Sequence, residues 1–221
     1  LEDAVAENQK DAARFSLYHA LKSIDYGDTE VIVRINGLDT PHWREDVRVC
    51  VAGGADGIRI AKCENAEMVR QVEEAVLAAE REFGVEEGRT LLMAALESPM
   101  GIMNAYEIVT ASDRMLGCAI SGGDFRKSMH VQIQRDGVEM MVARGQMLLA
   151  ARAAGVQCFD TMFPNIDDMD GFKAEVIQNH KMGFDGKSIV NPKQIAFVHE
   201  TFAPTEKEIA YAEKLVRGCQ A

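Results

Sequence analysis

No two cysteines in this chain fall in a C-x-x-C spacing, and the five present, Cys50, Cys63, Cys118, Cys158 and Cys219, are an odd number at irregular intervals. A zinc knuckle or a redox-active pair is therefore not the reading. Three of them lie inside apolar runs (CVAGG, GCAIS, VQCFD), where reduced, buried thiols of a cytoplasmic protein are expected. Long hydrophobic runs are also missing: no stretch reaches the length of a membrane-spanning helix, and the opening LEDAVAENQK is too charged for a signal peptide. Cations are scarce relative to anions, with 24 Lys+Arg against 35 Asp+Glu and a net charge of −11. Such a balance repels phosphate backbones and anionic lipid, so neither nucleic acid nor membrane is an expected partner. Proline occurs five times in 221 residues, and no Pro-, Gly- or Ser-rich linker divides the chain, which reads as a single domain over 1–221.

What is present is a 47% hydrophobic chain in which short apolar runs alternate with longer segments of helical period. The runs are VIVRI (31–35), GIRIA (57–61), TLLMAALE (90–97), MLGCAIS (115–121), VQCFDTMF (156–163) and FDGKSIV (184–190). Their near-continuous Val, Ile, Leu and Met suit strands of a parallel sheet. Between them, Val69, Val72, Val76, Ala79 and Phe83 form one apolar stripe with Glu73, Glu74, Glu80 and Arg81 turned to water. Segment 137–154 repeats the pattern through Val138, Met141, Val142, Met147 and Leu148, and Gly84 and Gly155 are placed to end their helices. A last helix is expected from about Thr205 to Arg217. Strand starts 24 to 41 residues apart fit one strand plus one helix per unit. An open doubly wound sheet and a closed (β/α) barrel both satisfy this. The Gly53-Gly54 and Gly122-Gly123 pairs do not form the G-x-G-x-x-G turn of the nucleotide-binding version.

Charges appear where the apolar strands run out: Arg34, Lys62, Glu97, Asp124 and Asp160. In a parallel sheet all carboxyl ends point one way, so these residues are expected to converge on one mouth. Each alone also fits a strand merely leaving the core. Glu97 and Asp124, with no imidazole or thiolate candidate beside them, make a hard oxygen site suited to Mg²⁺, which takes one or two carboxylates and keeps its other positions for water and substrate. Glu97 also precedes Ser98-Pro99, a helix entrance. Arg34 suits a substrate-carboxylate clamp, although an ion pair to Glu2, Asp3 or Glu97 would use the same fork. The five histidines read as solvated or capping, and Gly186-Lys187-Ser188 lacks the first glycine of a phosphate-binding loop.

The segments LEDAV, RINGLDT, ALESPMGIMNAYEI, AISGGDF, ARAAGVQCFDT and GFDGKSIVNPKQI together resemble the citrate lyase β-subunit family, within the HpcH/HpaI aldolase superfamily of (β/α)₈ barrels. The resemblance implies that Glu97 and Asp124 bind Mg²⁺, that Arg34 and Glu97 contact substrate, and that Glu2 and Asp3 lie near the metal waters as candidate proton acceptors. It implies cleavage of a citryl thioester, on CoA or an acyl carrier protein, to oxaloacetate and an acetyl thioester. A citramalyl-CoA or malyl-CoA lyase, or a non-catalytic structural barrel within a larger complex, are the alternatives. A homo-oligomer and other citrate lyase subunits are the implied protein partners. The family pattern places a strand and helix before LEDAV and a further segment after residue 219. The chain, which starts on Leu1, is therefore expected to hold a (β/α)₈ TIM barrel short of its first β/α unit and its C-terminal extension. Where the family reads G-A-E-D, this chain has Ser121-Gly122-Gly123-Asp124.

Overall fold

The computed structural model describes residues 1–219. After an opening turn, helix α1 (Lys10–Ser23) leads into strand β1 (Ile32–Arg34), α2 (Trp43–Gly53), β2 (Gly57–Ile60) and α3 (Ala66–Phe83). There follow β3 (Leu91–Leu96), the short helices α4 (Pro99–Met103) and α5 (Ala105–Val109), β4 (Met115–Ile120), α6 (Gly122–Ser128) and α7 (Met141–Ala154). The chain continues through β5 (Gln157–Asp160), α8 (Met169–Met182), β6 (Gly186–Lys187), α9 (Ile195–Phe202) and α10 (Glu206–Cys219). All strand pairs are parallel and their order in the sheet is their order in the chain, β1 to β6. That sequential order, with helical crossovers, is a half-barrel and not a doubly wound sheet, whose strand order would reverse. All six expected strands form. β5 and β6 are shorter than their apolar runs because only Phe159↔Gly186 and Asp160↔Lys187 pair before the chains diverge.

Side chains alternate across a strand, so each strand shows one face to the helices and one to the concave side. Val33, Ile35, Ile58, Ile60, Leu92, Leu96, Cys118, Ile120 and Cys158 point outward and share one core with Val47, Val51, Val72, Val76, Ile108 and Met147 from the helices. Each such valine, fully buried, contributes roughly 1.5–3 kcal/mol. The opposite parity, Arg34, Arg59, Ala95, Glu97 and Ser121, faces the concave side. Cys50, Cys63, Cys118 and Cys158 are free, buried thiols as expected, and the Cys219 side chain lies outside the described residues. No helix among the described residues is long and apolar enough to cross a membrane.

Three expectations about the helices need correction. Glu80 does not face water: it is fully buried and accepts from Arg114 at 2.7 and 2.8 Å and from the backbone N–H groups of Thr90 and Gly88. Its carboxylate ties the loop before β3 to the end of α3. Phe83, by contrast, is 42% exposed. In the segment before β5, Val138 and Val142 are exposed, and α7 instead buries Ala143, Arg144, Met147, Ala150 and Ala151. Small alanines let this helix lie close to β4 and β5. The left-handed residues at Gly84 (φ 65°) and Gly155 (φ 74°) end their helices as expected, a conformation a Cβ would strain.

Asp160 ends β5 but does not reach the concave mouth. Its parity turns it toward the helices, where Arg144 donates to it at 2.8 and 2.9 Å, Lys187 at 2.8 Å, and Asn179 also donates. Glu175 completes the cluster, pairing with Arg144 at 2.8 Å and Lys187 at 2.5 Å. Burial alone would raise the Asp160 pKa, but the Lys187 and Arg144 cations outweigh it and hold the carboxyl below its ordinary 3.8. A depressed carboxylate adds stability that is complete above its unfolded pKa and is lost as pH falls through the folded one. We therefore expect Asp160→Asn to cost about 3–5 kcal/mol near neutrality, since it leaves two buried cations to share the single Glu175 carboxylate. The difference from wild type should shrink as pH drops below 4; urea unfolding between pH 3 and 7 measures both.

Candidate active site

Arg34, the last residue of β1, and Arg59 of β2 are direct partners across the sheet, so their side chains leave the same face side by side. Glu97 follows β3 by one residue and Ser121 follows β4 by one, both with the same parity. Asp124 is not on a strand: it lies in the first turn of α6, half-exposed, with Lys127 at 3.7 Å. The start of that helix is fixed by Thr161, whose Oγ1 accepts the Gly122 N–H at 2.9 Å. Two adjoining cavities result. One, of about 320 Å³, is lined by Glu97, Asp124, Lys62, Glu64 and Ser98. The other, of about 410 Å³, is lined by Arg34, Arg59, Ser121, Asp124, Thr161 and Ser188. Asp124 belongs to both walls, so the structure brings Arg34, Glu97 and Asp124 together at one rim.

Glu2 and Asp3 reach the same rim from the opening turn. Lys10 holds that turn by donating to the Leu1 and Glu2 carbonyls at 2.9 and 3.1 Å and to Asn36 Oδ1 at 2.6 Å. Asn36 is bonded in turn to Asp46, and Asp46 to Arg14 at 2.8 Å. The buried Glu2 carboxylate thereby meets Arg34 Nη2 at 2.8 Å, one of the ion pairs the sequence left open. Asp3 is exposed and faces Lys62 at 3.4 Å. Lys62 takes a left-handed backbone (φ 49°), a strained state for a residue with a Cβ, and the turn brings the Cys63 N–H onto the Ala95 carbonyl at 3.0 Å. Burial opposes the Lys62 charge, yet Asp3, Glu2 and Asp39 leave its pKa raised.

Glu97 is 4% exposed, and neither carboxylate oxygen has a hydrogen-bond partner. Burial raises its pKa, and the charges of Glu2 and Asp124 add to this. The Lys62 backbone N–H and the Arg34 cation oppose it, the former without reaching hydrogen-bond geometry. Ser98 is the helix cap its position suggested, accepting the Gly101 N–H at 3.2 Å and donating to Glu64 at 2.5 Å, so capping does not use the Glu97 carboxylate. Two orphaned anionic oxygens in a cavity wall shared with a second carboxylate fit a hard divalent cation such as Mg²⁺, with room for water and a chelating ligand. No group of three or more His, Cys, Asp or Glu is clustered for a metal among the described residues.

Arg59 and Glu64 were not singled out in the sequence. Arg59 interrupts an otherwise apolar strand, GIRI, and that interruption is the signal that could have found it. Its pKa is lowered by burial first and by the neighbouring Arg34 second. Glu64 gave no such sign, because it lies past the strand in the loop before α3.

If Glu97 awaits a cation, Glu97→Gln keeps its shape and removes the charge that burial, Glu2 and Asp124 disfavour, and should raise stability without metal. Wild type should melt at higher temperature on addition of millimolar Mg²⁺, and the variant should show no such shift. Thermal melts with EDTA and with Mg²⁺ read both; an equal Mg²⁺ shift in the variant would exclude Glu97 as a ligand.

A family model described as HpcH/HpaI aldolase/citrate lyase matches residues 1–192. The citrate lyase subunit beta of Leuconostoc mesenteroides subsp. cremoris is 48% identical over 220 residues, covering 100% of this chain and 73% of that protein. A (3S)-malyl-CoA thioesterase of Cereibacter sphaeroides is 34% identical over 216 residues, covering 98% and 72%. Among solved structures, the Mycobacterium tuberculosis protein CitE in complex with magnesium, acetoacetate and coenzyme A superposes with a TM-score of 0.75 at 26% identity, over 100% of this chain and 78% of that one. With the sequential parallel half-barrel and the acid pair at its rim, these matches show that the chain belongs to the HpcH/HpaI aldolase/citrate lyase family.

Proposed function

We propose that this chain is a Mg²⁺-dependent carbon–carbon lyase of the citrate lyase β type. It cleaves a citryl thioester, carried on CoA or an acyl carrier protein, to oxaloacetate and an acetyl thioester. The observation that carries this reading is the buried, unpartnered Glu97 carboxylate beside Asp124 and next to the Arg34 cavity. The similarity to citrate lyase β subunits and to a structure holding magnesium and coenzyme A supports it. A purely structural barrel would gain nothing from leaving both oxygens of a buried acid unsatisfied.

Glu97 and Asp124 would hold the ion, which supplies charge neutralisation for the substrate hydroxyl oxygen and the carboxylate on the same carbon. Cleavage needs the hydroxyl proton removed and the adjacent C–C bond broken. The alkoxide then becomes the ketone of oxaloacetate, and the electron pair passes to the thioester enolate, which takes a proton to become acetyl. Arg34, held by Glu2, would fix the substrate carboxylate so that the breaking bond is aligned. Glu2 and Asp3 are the proton acceptors this chain offers at the rim. The buried Glu2 keeps Arg34 in place, and the exposed Asp3 is the freer of the two.

The six strands are, on this reading, part of a (β/α)₈ barrel, and residues 1–221 make one domain of it, with the chain spanning 73% of its Leuconostoc relative. It would act in the cytoplasm, consistent with four reduced buried thiols, as a homo-oligomer alone or with other citrate lyase subunits. Similarity to a malyl-CoA thioesterase keeps citramalyl and malyl thioesters as second substrates to examine. Incubating the protein with citryl-, citramalyl- and malyl-CoA and measuring oxaloacetate, pyruvate and glyoxylate separates the readings. Oxaloacetate should form from citryl-CoA with Mg²⁺ and not with EDTA. Arg34→Met should lower kcat at least about 100-fold, the scale of a lost positioning contact. Failure to cleave any of the three thioesters would refute the lyase.

A further inference from the structure

Arg59 is a rim cation without an ion pair of its own among the described residues, although the more distant Glu97 and Glu2 charges favour its charged form. Of the cations lining the two cavities, Arg34 faces Glu2, Lys62 faces Asp3 and Lys127 faces Asp124, whereas Arg59 has no carboxylate within 4.0 Å among the described residues. Its Nη2 donates to Ser121 Oγ at 3.2 Å, and its buried Nε has no acceptor at all. It also stands beside another guanidinium: parallel strands run about 4.8 Å apart, and Arg34 and Arg59 are direct partners across β1 and β2. Two neighbouring like charges, one with its own counter-ion and one without, make a place where a further anion is favoured. The cavity they line is polar, with Ser121, Thr161 and Ser188 around it.

Counting charges defines that anion. A divalent cation on Glu97 and Asp124 is neutral in sum, Arg34 with Glu2 and Lys62 with Asp3 are neutral, and Lys127, released from Asp124 by that ion, is balanced by Glu64 of the same wall, so Arg59 leaves one positive charge for the ligand. We infer that Arg59 is a specificity-determining residue that takes the second carboxylate of a dicarboxylic 2-oxo acid, and of the thioester that yields it. This rests on the lyase reading and deepens it. The three candidate thioesters differ only in what the hydroxyl-bearing carbon carries: a CH₂COO⁻ arm in citryl, a methyl in citramalyl, a hydrogen in malyl. Only the first offers Arg59 a partner. The other two would bury an unpaired guanidinium against a methyl or an empty space, and a site built around a buried polar group rejects the ligand that leaves it unpaired more strongly than it rejects a misfit of size.

The test is calorimetric binding of oxaloacetate and pyruvate to the protein in Mg²⁺, for wild type, Arg59→Met and Arg59→Lys, with Mg²⁺ affinity and melting temperature measured beside them. Wild type should prefer oxaloacetate at least about 100-fold. Arg59→Met should lose that preference by weakening oxaloacetate alone, and Arg59→Lys should restore part of it. Equal loss for both acids, or a wild type that does not discriminate, overturns the assignment. Should Arg59→Met not fold, the wild-type ratio and the lysine variant decide. Discrimination by a protein that cleaves no thioester would leave Arg59 as the carboxylate reader and remove the lyase. Cleavage of citramalyl-CoA as readily as citryl-CoA would leave the lyase and remove this role for Arg59.

Discussion

A carboxylate sealed from water and given no partner is the constraint around which the rest of this site is arranged. Glu97 is placed there by β3, whose apolar residues pack so fully that the first position beyond the strand is still buried. Its neighbours satisfy themselves without it: Ser98 caps α4, Glu64 takes the Ser98 hydroxyl, and Arg34 is turned to Glu2. A native structure tolerates such an unsatisfied acid when binding repays it, and the sharing of a wall with Asp124 says what kind of ligand can do so.

The positioning of the rim is carried by polar networks that lie behind it. Lys10, Asn36, Asp46 and Arg14 pin the opening turn against the end of β1 and so deliver Glu2 to Arg34. Glu80 and Arg114 do similar work at the far end of β3, joining α3 to the loop that leads into the strand. Buried charges of this kind contribute little net stability compared with apolar replacements, but they fix one arrangement of the loops among many.

The sheet was legible because parallel strands covered by helices must be apolar, and all six runs became strands in the order read. The strand ends pointed to Arg34, Glu97 and Asp124, and these three do share a rim. What failed was the step from a shared end to a shared face. Asp160 ends its strand as Glu97 nearly does, yet the period of two sends it to the helices, and its partners Arg144, Glu175 and Asn179 are separated in sequence and come together only in the fold. Glu80 was misread for the same reason, since its partner Arg114 is 34 residues away. Arg59 was visible as a charge inside an apolar strand, but its neighbour Arg34 became apparent only with the register of β1 and β2.

The cluster behind β5 has a consequence for how this protein tolerates change. Asp160 is bonded to Lys187, Lys187 Nζ also donates to the Thr161 carbonyl at 2.6 Å, and Thr161 Oγ1 holds the Gly122 N–H that begins the turn carrying Asp124. A continuous line of bonds thus runs from beneath the helices to the rim that carries Asp124. Selection on the reaction therefore reaches into the interior along this line. A random library screened for activity should give defective clones at these hidden positions even when the protein is still produced intact, while the exposed Arg81–Glu87 pair on the outer surface should accept replacement freely.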